Sequence, residues 1–217
     1  MKKNLRKIAM GLGLCIALVA CSKDEETTVV PVPVSAIIVK DLPADTVTGL
    51  VNNRPQYAGS ITYYSLVDNK IVTKADSATT KWDVAFSSTK ILVNSGTSGP
   101  GIGGAFVYVG LFDALKTIPA DSNFATDNSK ASPSQYAIPQ TSAGWYIYNR
   151  LTNIITPAAG RVLVIRTATG KYAKIEVLNY YKGGITPEPT APISEKISKQ
   201  RYYTFRYVYQ PNGTKTF

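Results

Sequence analysis

The stretch that most constrains this chain is 161–181, RVLVIRTATGKYAKIEVLNYY. Its first arm is β-branched and apolar, and Thr169-Gly170 supplies a tight turn. The return arm alternates. Ala173, Ile175 and Val177 fall on one face of a strand, and Tyr172, Lys174 and Glu176 on the other. The stretch is therefore expected to form one β-hairpin. A second aromatic strand is expected at 201–209, RYYTFRYVY, and an earlier one over 82–93, which opens WDVAFSS. Further candidate strands are 36–40, 61–66, 70–74 and 105–112, separated by clusters of Asn, Asp, Gly and Pro. The segment 183–199 reads as a Pro-punctuated connector. Asn212-Gly213 marks a turn after which 214–217 is expected to fold back as a last short strand. No window holds a helical period for long, so the expected fold class is all-β with short turns of helix.

At 217 residues the chain suits one domain with a real core. The residue types that are missing narrow its chemistry more than those present. There is no His, and the two Met and two Cys are Met1, Met10, Cys15 and Cys21. A zinc site built on His or paired Cys, a Ser-His-Asp or Cys-His nucleophile and a disulfide framework are all excluded from the folded domain. Carboxylates such as Asp83, Asp113 and Asp121 show no recognisable catalytic spacing, and no enzyme is expected. Of the 24 basic residues, Lys2, Lys3, Arg6 and Lys7 belong to the N-terminal leader. What remains is mildly basic and dispersed among Tyr and Thr, so no nucleic-acid partner is expected.

The leader combines that basic start with an apolar run over 8–20, too short to be a permanent membrane span. Leu18-Val19-Ala20-Cys21 resembles a bacterial lipobox, which implies cleavage between Ala20 and Cys21 and lipidation of Cys21. The alternative is an ordinary secretory leader with an incidental Cys. Acylation would anchor the protein by burying methylenes in the membrane. Residues 22–35, SKDEETTVVPVPVS, form a polar, then Pro-broken tether. Its acidic start resembles the export signal of surface-displayed lipoproteins in anaerobic Gram-negative bacteria. The expected division is a signal peptide over 1–20, a tether over 21–35 and one β domain over 36–217.

Two connections merit a functional reading. Residues 99–104, GPGIGG, match GxGxxG formally, but a strand follows where a dinucleotide site needs a helix. A mobile or turn-rich strand connection is the expectation. Residues 120–143 are long, polar and aperiodic, and such loops are often functional. Tyr136 lies inside this loop, and Tyr146 and Tyr148 follow on an aromatic strand. Packing is the commoner fate of strand aromatics, so core placement stands beside ligand binding for all three.

Lys81-Trp82-Asp83-Val84-Ala85-Phe86-Ser87, the GIGGAF of 101–106, Arg166-Thr167 through Gly170-Lys171-Tyr172-Ala173-Lys174-Ile175, Tyr180-Tyr181-Lys182 and Tyr202-Tyr203-Thr204-Phe205 together resemble the HmuY family of haem-binding surface lipoproteins. The resemblance spans most of the mature chain in the right order. It implies an all-β domain likened to a right hand, with haem gripped between thumb and fingers at one edge. Haem, or a related porphyrin, would be bound as cargo rather than as a catalytic cofactor. It would then pass to a TonB-dependent receptor of the outer membrane, with the protein lipid-anchored there and exposed on the cell surface. The sequence departs from the family at the iron. The best-known member clamps haem between two histidines and relatives use methionine, whereas this chain has neither after Met10. In the matching segment, 120–155, the oxygen and nitrogen donors are Tyr136, Tyr146, Tyr148 and Lys130. Tyrosinate is a known axial haem ligand, and a cationic metal favours the phenolate. The alternative on the same scaffold is a non-haem module for a glycan or a surface partner.

Overall fold

The computed structural model describes residues 33–52 and 54–217. Ala20, Cys21, the leader and most of the tether lie outside the described residues. Thirteen strands follow one another: β1 (Ile37–Pro43), β2 (Val47–Val51), β3 (Arg54–Tyr57), β4 (Thr62–Ser65), β5 (Lys70–Val72), β6 (Val84–Ser87), β7 (Lys90–Val93), β8 (Gly104–Val109), β9 (Tyr146–Asn149), β10 (Ile154–Pro157), β11 (Arg161–Arg166), β12 (Tyr172–Tyr181) and β13 (Gln200–Gln210). A short helix, α1 (Ile193–Lys199), precedes β13. The all-β expectation holds.

Two antiparallel sheets carry the fold. The larger has the order β1-β13-β12-β11-β8 and the smaller β5-β4-β6-β7, while β2–β3 and β9–β10 are separate hairpins. Strand alternation decides what lies between the sheets. From the smaller sheet Tyr64, Val84, Phe86, Ile91 and Val93 point inward; they meet Leu163, Ile165, Ala173, Ile175, Phe205 and Tyr207 of the larger. Phe86 stacks on Phe205 with ring centroids 5.4 Å apart, and Tyr64 meets Phe205 edge-on at 5.8 Å. Asp83 ties the two layers together. Its buried carboxylate accepts from the Leu66 N–H at 2.9 Å and from the Ala168 N–H, in the turn between β11 and β12, at 3.1 Å.

The 161–181 hairpin forms as expected, with Leu163 opposite Ile175 and Arg166 opposite Tyr172. Gly170 turns it with φ 84°. Its second face is not left to solvent. The segment after β8 folds over it, packing Phe112, Leu115 and Ile118 on Val162 and Val164. Lys174 is therefore buried, and its Nζ donates to the Phe112 and Leu115 carbonyls at 2.8 and 2.7 Å. Burial pulls its pKa below the usual lysine range.

Three local expectations are corrected. The stretch 82–93 is not one strand but the β6–β7 hairpin, turned at Ser88-Thr89 with Ser88 at φ 55°. Tertiary contacts hold this turn: the Tyr203 hydroxyl donates to the Ser88 carbonyl at 2.8 Å, and the Trp145 indole N–H to that of Thr89 at 2.9 Å. The connector 183–199 contains α1, whose Lys196 Nζ donates to the Thr152 and Pro189 carbonyls. The C-terminal residues do fold back, but as a single bridge from Thr216 to Thr117 rather than as a strand.

Candidate functional site

Because Tyr64 faces the core, its neighbour Tyr63 must face the other way. The same alternation turns Ala85 and Leu92 outward beside Val72 and Trp82, so the outer side of the smaller sheet carries its own apolar patch. Tyr63 meets Trp82 edge-on at 5.0 Å, and the Trp82 indole N–H is held by the Ser77 carbonyl at 2.9 Å.

Two loops wall this patch. In 94–104 the buried Asn94 acts as a post. Its Nδ2 donates to the Thr79 and Trp82 carbonyls, its Oδ1 accepts from the Gly101 N–H, and its backbone carbonyl accepts from the Gly103 N–H. The glycines serve this packing. A Cβ at Gly99 would come 2.6 Å from the Trp82 ring, and one at Gly101 2.7 Å from the Asn94 carbonyl oxygen. The GPGIGG run is therefore an anchored turn between strands, with no helix after it; it is pinned at many points rather than a loose connection.

The second wall is 120–143. Asp127 is buried, and its carboxylate accepts from the N–H groups of Val93 and Ala137, each at 2.9 Å, clamping the loop to the end of β7. Burial pushes its pKa up despite those two bonds. The clamp delivers Tyr136 onto the apolar patch next to Tyr63. Lys90 Nζ lies 5.5 Å from the centre of the Tyr136 ring. Among the described residues, nothing hydrogen-bonds the hydroxyl of Tyr63 or of Tyr136.

Three depressions run along this face and share their walls. The first, about 400 Å³, is lined by Tyr63, Thr97, Ser98 and the 96–100 turn. The second, about 320 Å³, shares Tyr63, Thr97 and Ser98 and adds Leu92, Lys90 and Tyr136. The third, about 560 Å³, shares Lys90 and Tyr136 and extends to Pro139 and Thr141. Together they make a groove of the size that small-molecule sites occupy. Among the described residues, Lys90 is the only formally charged one lining it. A separate depression of about 520 Å³ beside β5 is unlike it. There Lys70 pairs with Asp68 at 3.3 Å and Lys81 with Asp76 at 2.7 Å, so its charges are already matched.

Of the four donors named from the sequence, Tyr136 lines the groove. Tyr146 is half-buried against Trp145, and its hydroxyl donates to the carbonyl of Gln140, a residue of the groove's far end. Tyr148 is exposed on β9 and donates to Asn153 Oδ1 at 2.7 Å. Lys130 is exposed and lines none of the three depressions. The structure brings Tyr136 together with two residues not singled out in the sequence, Tyr63 and Lys90. The Tyr63-Tyr64 pair held a signal, since a strand cannot bury two consecutive side chains on one face.

A two-sheet β domain with an aromatic groove outside its core, and with apolar and hydroxyl groups lining it, has the layout of a ligand-binding module. Residues 58–191 match the family described as HmuY protein, and the chain belongs to that family. Its fold is thus of the HmuY type, in a family of binding proteins rather than enzymes. No curated protein matches the chain. Among solved structures it is similar to the apo form of a HmuY analog from Tannerella forsythia, at 16% identity and TM-score 0.44, covering 82% of this chain and 96% of that one. A protein described as HmuY-like and haem-binding, from Bacteroides vulgatus, is 13% identical with TM-score 0.47, covering 82% and 92%. One described as a lipoprotein, from Bacteroides fragilis, is 19% identical with TM-score 0.45, covering 69% and 82%.

Proposed function

We propose that this chain is a lipoprotein anchored through Cys21, with a tether over 21–35 and a binding domain over 36–217. It is displayed on the outer face of the outer membrane, where it binds haem or a related porphyrin and passes it to a TonB-dependent receptor. The observation that carries the reading is the placement of Tyr136. A loop clamped by Asp127 sets this phenol, its hydroxyl unclaimed, into a groove of ligand size within a HmuY-family domain. Phenolate is a hard, anionic donor and prefers ferric to ferrous iron. Its use would replace the histidine and methionine that this chain lacks.

The test is a haemin titration of the mature chain carrying Cys21→Ser, followed in the Soret region. Ferric haem is expected to give a spectrum unlike the low-spin bis-histidine type and to bind less tightly after reduction. Tyr136→Phe keeps the ring and deletes only the oxygen. It is expected to alter the ferric spectrum and to weaken binding by about tenfold, the worth of one strong bond to a charged centre. An unchanged spectrum and affinity would exclude Tyr136 as the iron ligand. No spectral change in the unsubstituted protein, with either oxidation state, would remove the haem reading and leave a glycan or surface partner to be sought by array screening.

A further inference from the structure

We infer that Lys90 is an anion anchor, so that the groove takes a flat, amphipathic anion whose acidic head pairs with this ammonium, whatever metal the ligand carries. Three observations lead there. Among the described residues, Lys90 is the only charge lining the three depressions, and it stands where the second and third meet. It has no acidic partner among the described residues, whereas Lys70 and Lys81 beside β5 are both paired. Its ammonium rests near the Tyr136 ring, at 5.5 Å, so an anion bound there would lie at the edge of an aromatic and apolar floor made by Tyr136, Tyr63 and Leu92. A half-buried cation in a recess without counter-charge attracts an anion more strongly than one in open solvent, because less water screens it. The aromatic floor takes the ligand's face by stacking. Neither contact involves a metal.

The inference rests on the haem reading only in taking porphyrin dicarboxylates as members of the ligand class. Its test uses four probes: haemin, metal-free protoporphyrin, the dimethyl ester of that porphyrin, and 8-anilinonaphthalene-1-sulfonate, an aromatic anion unrelated to porphyrins. Each is titrated into the mature Cys21→Ser chain and into the same chain with Lys90→Met or Lys90→Arg, after thermal melting shows that all three fold alike. Lys90→Met is expected to weaken metal-free protoporphyrin and the sulfonate by about tenfold. Lys90→Arg keeps the charge and is expected to restore most of that loss. The ester, its acids masked, is expected to ignore Lys90→Met. The anchor is overturned if Lys90→Met binds both anions like the parent, if ester and acid bind alike, or if neither anion binds the parent. Haem binding that ignores Lys90→Met, with the sulfonate equally indifferent, overturns the anchor and spares the haem reading. Sulfonate binding that depends on Lys90, with no Soret response to haemin, does the reverse.

Discussion

Asp127 shows how a single residue positions the site. Its carboxylate is the acceptor for two buried N–H groups, one on β7 and one next to Tyr136 in sequence. Asp127→Ala strands both donors. Each unmet buried donor costs about 1–3 kcal/mol, so the variant is expected to lose roughly 2–6 kcal/mol in urea unfolding and to bind haemin more weakly as Tyr136 loses its clamp. The pH dependence has a definite sign. Burial raises the folded-state pKa above the unfolded value, so the folded state holds the proton more tightly. The stability that Asp127 contributes is then full below the ordinary carboxylate pKa and declines as pH rises through the raised one. The penalty of Asp127→Ala is therefore expected to be larger at about pH 4 than at about pH 7. An equal penalty at both, or a larger one at neutral pH, would contradict that account.

At the scale of elements, the glycine-rich turn makes the sharpest claim. Gly101 is glycine because Asn94 and Ala168 approach its α-carbon, not because phosphate does. Gly101→Ala would place a methyl 2.7 Å from a backbone oxygen and 2.9 Å from Ala168. It is expected to destabilise the domain by about 1–3 kcal/mol, as overpacking does, seen as a lower urea midpoint with unchanged slope. A neutral outcome would mean that the turn gives way easily. The same elements show what the sequence could and could not display. The 161–181 hairpin was legible because its alternation and its Thr-Gly turn agree, both being local signals. The β6–β7 turn was not, because Ser88 adopts φ 55° without being Gly or Asn, and contacts from Trp145 and Tyr203 hold it there. Reading through that turn as one strand also hid Lys90, which the hairpin sets opposite Ser87 at the groove. Tyr136 could be picked out because a long polar loop offers an aromatic few other uses. Tyr63 could not be told from its core-facing neighbour until the sheet gave the strand its two sides. The β2–β3 hairpin was missed for a compositional reason, since its second arm, RPQY, is polar and carries a Pro that only an edge accepts.

Over the whole molecule, the core and the groove are on opposite sides of one thin sheet. Phe86 and Ile91 face the larger sheet, while Ala85 and Leu92, their neighbours on the same strands, face the groove. Binding can thus vary on one face while the sandwich stays packed on the other. Anchoring should be separable in the same way. Both cysteines, Cys15 and Cys21, precede the first described strand, so no disulfide can cross-link the two sheets. If Cys21 is the mature N-terminus and carries acyl chains, their buried methylenes, at about 0.8 kcal/mol each, hold the protein to the membrane without touching the fold. Cys21→Ser is therefore expected to move the protein from the membrane fraction to the soluble one while leaving its melting temperature unchanged, with or without reductant. A Cys21→Ser protein that still partitions fully into membranes would refute lipidation at that residue. Freed of its leader, that soluble form carries no cysteine, so a melting temperature that shifts with reductant would show that something other than thiol chemistry acts on the fold.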